Sequence, residues 1–198
     1  MPAHRMINMG FTEETFPAGT HMCYIYTDDH EHKEIVSKFV ESALSEQESV
    51  RYFADVLSVE DIPDHLARLD IRVLPEQTGG RFEGDLAHQV YCPDGTFIPH
   101  RMLDQVRELY LESVRAGFSG ARATGEMTWA LRGFPGSERL IEYESGLNAV
   151  VRECPVTLAC QYDARRFSGA TLYEVLNVHP YMIVRGQIVR NPYYRTPA

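Results

Sequence analysis

Two stretches of the 198-residue chain carry side chains whose types and spacing suit chemistry. In Thr27-Asp28-Asp29-His30-Glu31-His32-Lys33, the five residues from Asp28 to His32 are all metal-ligand types. His30 and His32 are two apart, however, and such residues do not share a helix face, whereas a helical zinc motif spaces its histidines by four. The stretch reads as a charged, solvated helix start, with a divalent cation at Asp28 or Asp29 as the alternative. No metal site is assigned. The second stretch is Gly125-Glu126-Met127-Thr128-Trp129. Gly125 permits close backbone approach, and desolvation by Met127 and Trp129 is expected to raise the pKa of Glu126. Glu126 either contacts a ligand or forms an internal pair that orders Arg132.

Other candidates surround these. Trp129, Tyr26, Tyr162 and Met127 suit a mostly apolar small-molecule pocket with a few polar anchors, and equally suit a plain core. Gln161 and Asp163 flank Tyr162, so on a strand they share one face and the tyrosine takes the other. Asp163 also precedes Arg165 and Arg166, ready ion-pair partners. His179 stands before Pro180, which favours an extended backbone, and suits a hydrogen-bonded cap at a helix end. No Gly-x-Ser-x-Gly elbow is present, and a Cys160–His179 pairing would need a closeness the sequence does not supply. No catalytic residue is assigned and no cofactor is expected.

Strand and helix alternate in the segments that must position these groups. Met22–Tyr26 reads as a buried strand and Asp28-Asp29 as a helix start, followed by Ile35, Val36, Phe39, Val40, Ala43 and Leu44 at helical spacing. A strand over 49–56, a helix from Ser58 to Leu69 and a short strand over 71–74 follow. Residues 75–99, with Gly79-Gly80, Gly84 and Pro93-Asp94-Gly95, read as a long functional loop. Then come a helix over 99–116, a strand from Ala121, a helix after Pro135-Gly136-Ser137, a strand over 156–161 and a helix from Ser168. A hairpin closes the series, with Gly186-Gln187 placed as the first two residues of a type II′ turn.

Early strands that are apolar on both faces, alternating with helices, predict a mainly parallel sheet covered on both sides and ended by an antiparallel hairpin. Ligands bind beyond the carboxyl ends of such strands, so Tyr26, Thr27, Asp28, Asp55, Glu126, Tyr162 and Asp163 become the positions to inspect. Residues 1–18 read as a lead-in and 19–198 as one domain.

Composition limits the function classes. Hydrophobic residues are 44% and charged residues 24%, ordinary globular usage. Neither a spanning apolar run nor a signal-peptide pattern is evident, which points to a cytoplasmic domain without membrane contact. Net charge is −9, with the acids concentrated in the first half and twelve arginines in residues 101–198. An acidic chain lacks the footprint for direct DNA binding. Cys23, Cys92, Cys154 and Cys160 form no C-x-x-C pair, and Cys23 and Cys160 read as buried thiols.

Several ordered motifs resemble the MEDS (methanogen/methylotroph sensory) domain family. They are Gly19-Thr20-His21-Met22-Cys23-Tyr24, Pro93-Asp94-Gly95-Thr96-Phe97 before Arg101-Met102, Gly125 to Leu131, Cys160-Gln161-Tyr162-Asp163, His179-Pro180 and Asn191-Pro192-Tyr193-Tyr194. The resemblance, over about 19–195, implies a three-layer RecA/KaiC-like sandwich that senses small hydrocarbon derivatives. Family members are often joined to a DNA-binding domain or a histidine kinase. No residues are left over for either here, so regulation of a kinase or transcription regulator in trans is expected, and a homodimer is compatible with the sequence. A RecA-like ATPase would need a glycine-rich loop with Lys and Ser/Thr after the first core strand. That place holds no glycine and carries Asp28, Asp29, Glu31 and Glu34, which repel phosphate. Two readings stay beside the sensor: a degenerate nucleotide-hydrolysing enzyme using Glu126, and a ligand-independent interaction partner.

Overall fold

The computed structural model describes residues 5–72 and 79–196. Its centre is a seven-stranded sheet of β3 (His21–Tyr26), β4 (Ser49–Ala54), β5 (Phe82–Leu86), β6 (Ala121–Glu126), β7 (Thr157–Asp163), β8 (Tyr181–Val184) and β9 (Gln187–Arg190), in the order β5-β4-β6-β7-β3-β8-β9. Every pairing is parallel except β8 with β9. Strands β6 and β7 are buried along their whole length, which fits their place in the middle of a sheet covered on both faces.

Strand alternation divides the core in two. Met22, Tyr24, Val50, Tyr52 and Ala159 face α1 (Asp29–Ser45) and α2 (Ile62–Arg68). Cys23, Phe53, Ala123, Leu158, Cys160 and Tyr162 face the other way. That second face is covered by α3 (Ala87–Tyr91), α4 (Pro99–Arg115), α5 (Leu140–Glu153) and α6 (Gly169–Val178). The three-layer, mainly parallel α/β sandwich with a C-terminal hairpin is thus present.

Several local expectations change. Within the expected lead-in, β1 (Met6–Asn8) and β2 (Thr15–Pro17) form an antiparallel ribbon that buries Ile7 beside α1. Residues 82–91, expected as loop, hold β5 and α3. Gly84, a turn signal in the sequence, serves packing: a Cβ there would meet Ile62 and Leu66 of α2 at 3.0 and 3.3 Å. The expected strand over 71–74 runs into residues 73–78, outside the described residues. The closing hairpin turns on Arg185 (φ 49°) and Gly186 (φ 68°) rather than Gly186-Gln187. Two positive φ values between strands ending at Val184 and starting at Gln187 are the mark of a type I′ turn, whose twist matches the strands.

Arg122 of β6 is fully buried and ties the ribbon to the sheet. Its Nε donates to Glu48, Nη2 donates to the Asn8 carbonyl at 2.8 Å, and the guanidinium lies 5.2 Å from the Phe39 ring centroid. Removing one member of a buried ion pair strands the other charge in the core. Arg122→Ala is expected to cost about 3–5 kcal/mol in urea unfolding. Joint replacement of Arg122 and Glu48 by apolar residues should cost clearly less.

Candidate functional site

The parallel register brings the carboxyl ends of β3, β7 and β6 side by side, with Tyr26 opposite Asp163 and Gln161 opposite Glu126. On the face toward α1 and α2, this edge carries a row of polar groups. Glu126, 8% exposed, ends β6. Its Oε1 accepts from the Tyr52 hydroxyl at 2.6 Å and pairs with His65 Nε2 of α2; its Oε2 accepts from the Asp55 backbone N–H at 2.9 Å. Burial pushes the Glu126 pKa up, as the sequence suggests, but His65, Tyr52 and the Asp55 N–H outweigh it. The net shift is downward.

One step along the edge, Gln161 donates to Thr124 Oγ1 at 2.7 Å and accepts from His32 Nε2 at 2.6 Å. The His32 ring stacks on Tyr26, with centroids 3.9 Å apart and planes 3° apart. Arg165 closes the end of the row: it donates to both oxygens of Asp163, at 2.8 and 2.9 Å, and to Asp29 at 2.7 Å. Its guanidinium lies 5.9 Å from the Tyr26 centroid. Asp28 is the N-cap of α1 and accepts from the Glu31 N–H at 2.7 Å, so the chain's own carboxylate takes a donor that an anion would otherwise use.

The structure therefore gathers Tyr26, Asp55, Glu126, Gln161 and Asp163 on one edge, with Thr27 directly following β3. Arg132 pairs with Asp55 at 2.7 Å instead of Glu126, and Thr128 also donates to Asp55. The four residues expected to line a pocket, three aromatics and Met127, are divided. Trp129 is fully buried against Tyr91 (4.5 Å, planes 14° apart) and Phe97 (4.8 Å), and Tyr91 donates to the Met127 sulfur at 3.6 Å. Gly125 makes this cluster possible, since a Cβ there would stand 2.9 Å from the Tyr91 hydroxyl. Trp129, Met127 and Tyr162 belong to the core on the α4–α6 side, away from Tyr26.

His179 also lies on that side. It ends α6, donating from Nδ1 to the Val175 carbonyl at 2.8 Å, and Asn191 holds the same turn by donating to the Leu176 and His179 carbonyls. Its Nε2 points to Glu144, where His21, Cys160 and Tyr162 converge as well. Burial pushes the Glu144 pKa up, but His179 and His21 dominate and hold it well below the usual carboxylate range. Burial, aided by His179, holds His21 below the ordinary imidazole value. Burial pushes the Cys23 thiol up to about 12.

Tyr52, His65, Thr124 and Glu144 are not among the residues expected from the sequence; Arg165 stands there only as an ion-pair partner for Asp163, and His21 only within a family motif. Glu144 left a readable signal: it stands four residues after Leu140 and three before Leu147, inside the apolar stripe of its helix.

This edge and sheet order define a RecA/KaiC-like α/β module whose phosphate-loop position is replaced by acidic residues. The KaiC-like protein PH0186 of Pyrococcus horikoshii OT3 shares the fold, with a TM-score of 0.60 and 13% identity over 91% of this chain and 80% of that one. So does the flagellar accessory protein FlaH of Methanocaldococcus jannaschii, with a TM-score of 0.55 and 10% identity over 92% and 83%. At those identities the likeness concerns the fold alone. The family described as MEDS: MEthanogen/methylotroph, DcmR Sensory domain matches residues 20–180, and the chain belongs to it. A relative, the transcriptional repressor DcmR of Methylorubrum extorquens (strain DSM 6343 / CIP 106787 / DM4), is 34% identical over 79 residues. That stretch is 39% of this chain and 30% of the repressor. Among the described residues, no helix is long and apolar enough to cross a membrane.

A carboxylate whose folded-state pKa is depressed contributes stability above its unfolded value and loses it as pH falls through the folded one. The stability gap between wild type and Glu126→Gln, read by urea unfolding, is expected to shrink as pH is lowered from about 6 to about 3.

Proposed function

We propose that this chain is a cytoplasmic ligand-sensing domain that binds a small, fairly apolar molecule at the carboxyl edge of its sheet. The observation that carries this reading is the convergence of Glu126, held by Tyr52 and His65, with the stacked Tyr26–His32 pair anchored through Gln161. Aromatic faces beside a carboxylate and two imidazoles suit a short carbon skeleton with one polar group. Tyr26, Thr27, Asp55, Glu126, Gln161 and Asp163 are the proposed contacts. Trp129, Tyr162 and His179 support the sheet from behind.

A ligand shifts a conformation only by its differential affinity for two states. A polar group that engages Glu126 competes with His65 and so loosens α2, a seven-residue helix tied to the edge by that contact. In this proposal the shift of α2 is what a partner reads. Membership in a sensory family and the likeness to a repressor support a transcription regulator, or a kinase, acting in trans. The acidic start of α1, with Asp28 and Asp29 already engaged, weighs against phosphate binding there.

The test is thermal shift and calorimetry with one-carbon and short-chain alcohols, halides and acids, alongside ATP with magnesium. A hit should raise the melting temperature of wild type and do so far less in Glu126→Gln. Stabilisation by none of the small compounds sinks the proposal, and ATP binding abolished by Glu126→Gln supports nucleotide chemistry in its place.

A further inference from the structure

His21 at the start of β3, Glu144 on α5, Cys160 on β7 and His179 after α6 meet on the sheet face opposite Glu126, each at most 6% exposed. Their donor atoms all lie within 4.8 Å of one another.

The protons at this cluster follow from the partners. The Val175 carbonyl can only accept, so His179 carries a proton on Nδ1, and its neutral form presents a lone pair at Nε2. Asn148 spends its amide donors on the Ser145 and Val178 carbonyls, so the oxygen 3.1 Å from His21 Nδ1 is an acceptor. His21 thereby carries a proton on Nδ1, and its neutral form presents a lone pair at Nε2 as well. Tyr162 donates to Glu144 Oε1 at 2.6 Å, which leaves Oε2 facing both imidazoles at 3.2 Å. With both imidazoles neutral, three lone-pair atoms converge in the core, and His179 Nε2 has no hydrogen-bond partner. Buried polar atoms are costly to leave in that state.

We propose that the cluster binds one borderline divalent cation of the zinc class through His21 Nε2, His179 Nε2, Glu144 Oε2 and Cys160 Sγ. Tetrahedral zinc with N, O and S ligands has ligand–ligand edges of about 3.3–3.6 Å. Here the two nitrogens stand 3.2 Å from Oε2, and Sγ stands 3.5 Å from Oε2 and 3.7 Å from His21 Nε2. Charge closes too: a carboxylate, a thiolate, two neutral imidazoles and a divalent ion sum to zero. Nitrogen and sulfur ligands select against magnesium and calcium. Each histidine donates its other N–H to an oxygen, the support that metal-bound histidines use to fix tautomer and ring. On binding, Cys160 Sγ exchanges its proton for the metal bond and one proton leaves to solvent. The site shares no residue with the proposed small-molecule edge, so either can fail alone.

The test begins with metal content of the purified full chain by mass spectrometry, expected at about one zinc per chain. Chelator-stripped protein reloaded with cobalt(II) should show tetrahedral d–d bands and a thiolate-to-cobalt charge-transfer band. Cys160→Ser should lose the charge-transfer band, with circular dichroism as the folding check. Asn148→Ala, which removes the support of His21 together with the amide bonds to the Ser145 and Val178 carbonyls, should weaken the metal about 10–100-fold. Should either variant not fold, the wild-type content and cobalt spectrum decide. No bound metal, no cobalt bands after refolding with the ion, and a melting temperature indifferent to chelator would overturn the proposal and assign the cluster to a shared proton.

Discussion

An ionised carboxylate taken out of water must be met by donors or cations already in place, because its lost hydration is worth several kcal/mol. Glu48, Glu126 and Glu144 are all nearly or fully buried in this chain, and each is met by groups distant in sequence. Glu48 draws Arg122 and Arg5, and with them the β1–β2 ribbon. Glu126 draws Tyr52, His65 and the turn after β4, which fastens α2 over the carboxyl edge. Glu144 draws both histidines, Cys160 and Tyr162, which fastens α5 to β3, β7 and the end of α6. Apolar packing fills the two layers between these points. The carboxylates decide which elements may lie against which.

This division explains what could be read from the sequence. Strands β3, β4, β6 and β7 are buried on both faces, so composition and turn punctuation marked them out. Helix α4 was legible because its apolar residues keep a clear stripe. The short edge strand β5 was not: Phe82-Glu83-Gly84-Asp85-Leu86 contains two acids and a glycine, and only its contact with α2 explains the glycine. Among the site residues, Glu126 and Asp163 follow from the rule that ligands gather beyond strand ends, and Gln161 from sharing a strand face with Asp163. His65 and Tyr52 do not, since they reach Glu126 across 61 and 74 positions of chain. Trp129 misled for a related reason. An aromatic three residues past a strand end looks like a pocket wall, yet the 3-10 turn that begins at Met127 folds it back against Tyr91 and Phe97.

The acidic start of α1 also acquires a structural account. In a nucleotide-binding relative of this fold, that helix terminus is free to receive phosphate. Here Asp28 caps it, and Asp29 and Asp163 hold Arg165 across its mouth. Charges that would repel a nucleotide are internally neutralised, and they brace the Tyr26–His32 stack.

The strand order carries one further consequence, for how the chain is made. Strand β3 is the first strand of the large sheet to leave the ribosome, yet both of its neighbours, β7 and β8, lie beyond residue 156. Throughout synthesis of the intervening residues, an apolar strand with two open edges must wait for its partners. Such distant pairing slows folding and exposes a sticky edge in the meantime. Premature termination anywhere before β7 leaves that edge without a mate, so truncated products of this gene should be clients for chaperones or proteases rather than partly working domains.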